Sequence, residues 1–105
     1  MDMRIIWSAF AETQLDEIYE YYKNKAGKRI AKKLIYGLIN EPNKLLKSPF
    51  IGQEEELLKD RKADYRYLVY KNYKLIYSLE EKTETIKIAD VFDSRQTPNK
   101  LKRTK

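Results

Sequence analysis

The side chains best able to do chemistry lie between Asp64 and Arg95. There Tyr65, Tyr67, Tyr70, Tyr73 and Tyr77 alternate with Arg66, Lys71 and Lys74, and Arg95 closes the segment. Tyrosines beside cations can stack on bases while the cations hold phosphates. Most of the nine tyrosines fall on stripes that need large amphipathic side chains for packing. Tyr65, Tyr70 and Tyr73, with Lys71, are the ones assigned here to a nucleic-acid or partner surface. The basic C-terminal residues Lys100, Lys102 and Arg103 join them.

What is missing narrows the chemistry further. The chain has no histidine and no cysteine, so the commonest general base, the commonest metal ligand, thiolate metal sites and disulfides are all excluded. Any reaction must use Lys, Arg, Tyr, Asp or Glu. No Gly-rich phosphate loop, Ser/His/Asp set or metal-ligand spacing is present, and neither a cofactor nor a metal is expected. Glu54–Glu56 is a run of carboxylates, but three consecutive side chains do not converge on one point in a helix or strand.

The charge balance points to an anionic partner. Lys and Arg total 22 against 16 acids, a net charge of +6 with a pI near 9.4, which suits nucleic acid or an acidic protein. Six cations and no acid occupy Lys23–Lys33, either as a phosphate-facing patch or as a solvated helix face. No apolar run approaches the roughly 20 residues of a membrane span, and a cytoplasmic location is the expectation.

These groups must be positioned by a single domain. A chain of this length can bury about two-thirds of its surface without staples, and residues 1–95 read as that domain, with 96–105 a basic tail. Met3–Trp7 is a short apolar run, expected to be a strand. Ser8 offers an N-cap with Glu12 in the first turn. Ala11, Leu15, Ile18, Tyr19 and Tyr22 then recur at helical steps to about Asn24, where Ala26-Gly27 stops the helix. A second helical pattern starts at Lys28 (Ile30, Ala31, Leu34, Ile35, Leu38, Ile39) and breaks near Pro42. Leu45 and Leu46 imply about one more turn, and Ser48–Gln53 is read as a loop.

Tyr65–Tyr70, Tyr73–Leu79 and Thr85–Phe92 are strands of an antiparallel meander. The predicted fold is α+β: an N-terminal strand and a helical hairpin packed on one face of a small antiparallel sheet, in the order β-α-α-β-β-β. One question of register stays open. A two-residue turn at Lys71-Asn72 sets Arg66 opposite Tyr77 and puts Lys74 on the other face; a three-residue turn with a bulge slips the register and unites them.

The order of these parts, with YRYLVYKNYKLIY in the meander and IKIADVFDSRQTP at its end, resembles the RelE/ParE superfamily of bacterial type II toxin–antitoxin toxins. The likeness covers nearly the whole chain, and its most specific pieces are Tyr65-Arg66, Tyr73–Tyr77 and the closing strand that runs into Arg95. It implies a growth-arresting toxin of a plasmid-stabilisation (addiction) module. Its partner would be an antitoxin whose acidic, apolar C-terminal segment wraps it.

Two activities follow from the resemblance. A RelE-like member would be a metal-independent, ribosome-dependent endoribonuclease. Arg66, Lys74 and Arg95 fall on its catalytic cation positions, with the arginines on phosphate and Lys74 assisting in activation of the 2′-hydroxyl. Two features depart from that pattern: Leu68 or Tyr67 stands where a second strand cation belongs, and no His or Tyr follows Arg95. A ParE-like member would instead inhibit DNA gyrase by binding, and needs no such set. An inactive domain that only binds a partner is the third reading.

Overall fold

The structure, a computed structural model, describes residues 3–54 and 64–96. The chain opens with strand β1 (Arg4–Trp7) and turns at once into helix α1 (Ala9–Ala26). Ser8 caps α1 through its side chain, which accepts from the Ala11 N–H at 3.0 Å, satisfying one of the donors that a helix start leaves open. Its own N–H reaches the Ile88 carbonyl at 3.0 Å, so the cap also fixes the helix to the sheet. Gly27, with φ of 97°, ends α1 and admits helix α2 (Lys28–Asn40) without a linker. Such a positive φ suits a residue without a Cβ.

Pro42 is accommodated in the first turn of a 3₁₀ helix, Glu41–Leu46. Its missing N–H costs nothing there, and the tighter turn swings Leu45 into the core, fully buried. Strand β2 follows at Gln53–Glu54, a two-residue edge strand where the sequence predicts only loop. Strands β3 (Tyr65–Tyr70), β4 (Tyr73–Glu80) and β5 (Thr85–Asp93) form the predicted meander.

The sheet order is β1-β5-β4-β3-β2. The α+β architecture and the helical hairpin are as predicted, but the sheet is mixed and five-stranded. β1 pairs with β5 in parallel, while the other neighbours are antiparallel. A strand of four residues, RIIW, carries no sign of the direction in which it pairs.

Both helices lie on one face. Leu15 of α1 and Leu34 and Leu38 of α2 pack on Tyr73, Leu75 and Val91, and Ala11 and Leu45 pack with Leu68, Tyr77, Ile86 and Ile88. A bulge lets β5 keep that face apolar: Ile76 pairs with Asp90 but Tyr77 with Ile88, so Ala89 is the extra residue. Ile88 and Val91, three apart, both face the helices as a result. Tyr65, Ile76, Ala89 and Phe92 form a smaller cluster on the far face, with Tyr67 packed against it.

Candidate functional site

Lys71-Asn72 is a two-residue turn. Tyr70 pairs with Tyr73, Leu68 with Leu75, Val69 with Lys74 and Arg66 with Tyr77. The left-handed conformation falls on Lys71, with φ of 54°. Paired residues share a face, so Arg66 is on the helix side of the sheet and Lys74 on the far side.

On the helix side, Arg66 is held by the segment that leads into β2. Its guanidinium donates to the Gly52 carbonyl at 3.2 Å and to Asp64 at 3.2 Å, and it lies 5.2 Å from the centre of the Phe50 ring. Tyr77, its cross-strand neighbour, is fully buried. The Tyr77 hydroxyl donates to the Pro49 carbonyl at 3.0 Å and accepts from the Gly52 N–H at 3.1 Å. Burial pushes its phenol above the ordinary value. No side chain fits at Gly52, because a Cβ there would collide with the Tyr77 hydroxyl and lie 2.8 Å from the Tyr67 carbonyl. Arg66 thus braces a loop as well as presenting a charge.

On the far face, the Lys74 ammonium sits 4.2 Å from the centre of the Tyr67 ring. The Tyr67 hydroxyl in turn donates to the Gln53 side chain at 2.9 Å. A cation so close to an aromatic face is attracted by the ring quadrupole.

The third cation lies at the other end of the helix side. Asp93 pairs with Tyr73, four residues along β4 from Tyr77, a distance of about 13 Å at the rise of a strand. The Asp93 carboxylate accepts from the Arg95 backbone N–H at 2.9 Å, from its guanidinium at 2.9 and 3.1 Å, and from the Asn72 amide at 3.1 Å. The Arg95 hydrogen bonds, with a smaller contribution from Asn72, hold the carboxyl at about 2, below its ordinary value. The same pair raises the Arg95 guanidinium. Arg95 is nonetheless open to solvent, its side chain 76% exposed.

Beside Arg95 is a cleft of about 420 Å³ between α1 and the sheet, lined by Tyr21 and Tyr22 of α1, Tyr73 and Asp93 among others. Burial, then a hydrogen bond to Tyr22, raises the Tyr73 phenol above its ordinary value. At neutral pH it is a proton donor and not a base. The cleft therefore offers phenol donors, a carboxylate and an exposed guanidinium, a set suited to gripping polar groups of a partner.

The family model for the ParE toxin of the type II toxin–antitoxin system parDE matches residues 5–98. The chain belongs to the ParE toxin family. A solved structure described as the chromosomal ParDE toxin–antitoxin system from P. aeruginosa is similar to it, with a TM-score of 0.71 at 18% identity, covering 87% of this chain and 95% of that one. That likeness is one of fold. No match was found among curated proteins. Toxins of this family belong to type II pairs, so membership implies a cognate antitoxin as partner.

In this ParE-family chain the remaining sequence candidates occupy varied positions. Tyr65 and Tyr73 are buried, 8% and 5% exposed, Tyr65 in the far-face cluster and Tyr73 under the helices. Tyr70 is half-buried against Gly37, where a Cβ would collide with its hydroxyl and ring. Lys71 is exposed, 5.7 Å from the Tyr70 ring centre. Lys100, Lys102 and Arg103 lie outside the described residues, as does most of the 96–105 tail and Glu55-Glu56. Among the described residues no cluster of acidic groups is placed to hold a metal, and no helix is long and apolar enough to cross a membrane.

Nothing in the sequence assigned Asp93, Asn72, Tyr22 or Tyr77 to the site. The Asp93-Ser94-Arg95 spacing was a usable signal, since an Asp commonly accepts from the backbone N–H two residues on. Tyr77 gave none, being one tyrosine in a stripe of them.

Proposed function

We propose that the chain is a toxin that arrests growth when free of its antitoxin, and that it does so by binding its target, in the ParE manner, with DNA gyrase as that target. The separation of the cations supports this reading. Arg66 and Lys74 point from opposite faces of one hairpin, and Arg95 stands at the far end of the helix side. A phosphate undergoing cleavage needs its cations and its base within a few ångströms of one another. A protein surface makes no such demand: cations spread over it add specificity and association rate separately.

In this account Arg95, with the cleft beside Tyr22 and Tyr73, contacts the antitoxin's acidic segment or the target. Arg66 secures the loop at the opposite end, and Lys74 serves the far face. None acts as a nucleophile or base. The purified protein should block ATP-dependent supercoiling of relaxed plasmid by gyrase and accumulate cleaved DNA. It should leave messenger RNA on programmed ribosomes intact. Normal supercoiling in the presence of excess protein, with cutting of ribosome-bound message, would overturn the proposal.

A further inference from the structure

The outward face of α2 is used by neither the core nor the site described above. Lys28, Arg29, Lys32 and Lys33 line a shallow groove of about 560 Å³ that ends at Tyr36. These positions fall at i, i+1, i+4, i+5 and i+8, one face of a helix. Tyr36 is 61% exposed. The apolar row Ala31, Leu34 and Leu38 is buried on the opposite side.

Several cations elsewhere in the fold are engaged. Lys23 pairs with Glu20, Lys44 with Glu41, Arg66 with Asp64 and Arg95 with Asp93. Lys25 donates to the Tyr21 hydroxyl at 2.9 Å. Lys28, Arg29, Lys32 and Lys33 have no ion-pair, hydrogen-bond or ring partner for their side chains among the described residues. The first turn of α2 contains no acid and Gly27 supplies no capping side chain. Four cations therefore gather near the positive end of a helix dipole, an arrangement that disfavours the isolated helix and that an external anion would relieve.

We propose that this face of α2 binds the backbone of single-stranded nucleic acid, with Tyr36 as a stacking platform. The cations form two tiers one helical turn apart, about 6 Å at the helix rise. That spacing serves phosphates of one strand, which advance about 3.4 Å each along the axis of a duplex and further when extended. A groove of cations ending in an exposed aromatic ring is the composition that tracks a single strand and stacks its bases. An acidic amphipathic helix would demand a continuous row of apolar side chains. On this stripe the exposed apolar side chains are Tyr36 and Ile39, and the rest is Lys and Arg, whose aliphatic stems carry a charge at each tip.

The test is fluorescence anisotropy of a labelled oligothymidylate with the full chain, repeated over a range of salt concentrations. Three variants are compared: the quadruple change Lys28→Gln, Arg29→Gln, Lys32→Gln and Lys33→Gln; the milder pair Lys28→Gln and Lys32→Gln; and Tyr36→Leu. Circular dichroism confirms that each is folded, and the C-terminal cations stay in place throughout. The quadruple variant should lower the slope of log affinity against log salt by about 3, and the pair by about half that. Tyr36→Leu should weaken binding on the order of tenfold at unchanged slope. Unaltered affinity and slope in the folded pair and quadruple variants would overturn the proposal. So would a Tyr36→Leu variant that binds as wild type, or polyglutamate displacing the oligonucleotide at equal charge concentration, which would mark an acidic-peptide surface instead.

Discussion

Arg66 and Lys74 lie on opposite faces of the β3–β4 hairpin. Arg66 stands across from Tyr77 and Lys74 across from Val69, each with its own aromatic neighbour: Phe50 for Arg66 and Tyr67 for Lys74. Side chains on opposite faces of a sheet, each beside a different aromatic ring, should act nearly independently when mutated. In a double-mutant cycle, the stability losses of Arg66→Ala and Lys74→Ala should add to within about 0.5 kcal/mol. Urea denaturation of the four proteins measures this, and a coupling well above that margin would place the two side chains in one network.

The buried Tyr77 hydroxyl ties the loop before β2 to the sheet through the Pro49 carbonyl and the Gly52 N–H. Tyr77→Phe leaves the ring in place and strips both groups of their partner. The cost should be about 1–3 kcal/mol, the usual penalty for leaving buried polar groups unsatisfied. A denaturation midpoint equal to that of wild type would show that water or a neighbour replaces the hydroxyl.

The Tyr70 side chain occupies the space in which a Cβ of residue 37 would sit. Gly37→Ala should therefore destabilise the fold by about 1–3 kcal/mol through overpacking, even though alanine is the better helix former. Tyr70→Leu in the same chain should recover part of the loss. If Gly37→Ala alone raises the melting temperature, helix propensity outweighs the contact and Tyr70 moves aside without cost.

The Asp93 carboxyl is held near 2 by its bonds to Arg95 and Asn72, below its ordinary value of 3.8. Between those values the unfolded chain carries more of the proton, so stability rises with pH. The contribution is complete above the unfolded value and is lost as pH falls toward 2. Thermal melts from acid to neutral pH should show a shallower acid loss for Asp93→Asn than for wild type. Parallel curves would mean that the Arg95 pair adds nothing to folding.

Much of this fold was legible from pattern. Ser8, Glu12 and Gly27 bracket α1 through capping chemistry, Pro42 marks the end of α2, and the three meander strands stand out as Tyr- and Ile-rich runs. The turn at Lys71-Asn72 was not decidable, because no Gly marks a left-handed position and the residue that adopts it is a lysine. β2 is two residues long and too short to carry a periodicity. The Ala89 bulge has no Gly to mark it, and Ile88-Ala89 reads as ordinary strand. The direction of β1 depends on where two helices deliver the chain, which no local residue encodes. For the candidate site, Arg66, Lys74 and Arg95 could be named from the sequence, but their separation depends on turn parity and on the distance along β4. Both are properties of pairing.

Inhibition by binding, without cleavage of message, is tested most directly in cells. The chain is induced without an antitoxin, and incorporation of labelled thymidine and labelled leucine is followed together. Thymidine incorporation should fall first, with induction of the DNA-damage response, while leucine incorporation continues through the early period. Immediate loss of leucine incorporation with thymidine incorporation sustained would contradict it.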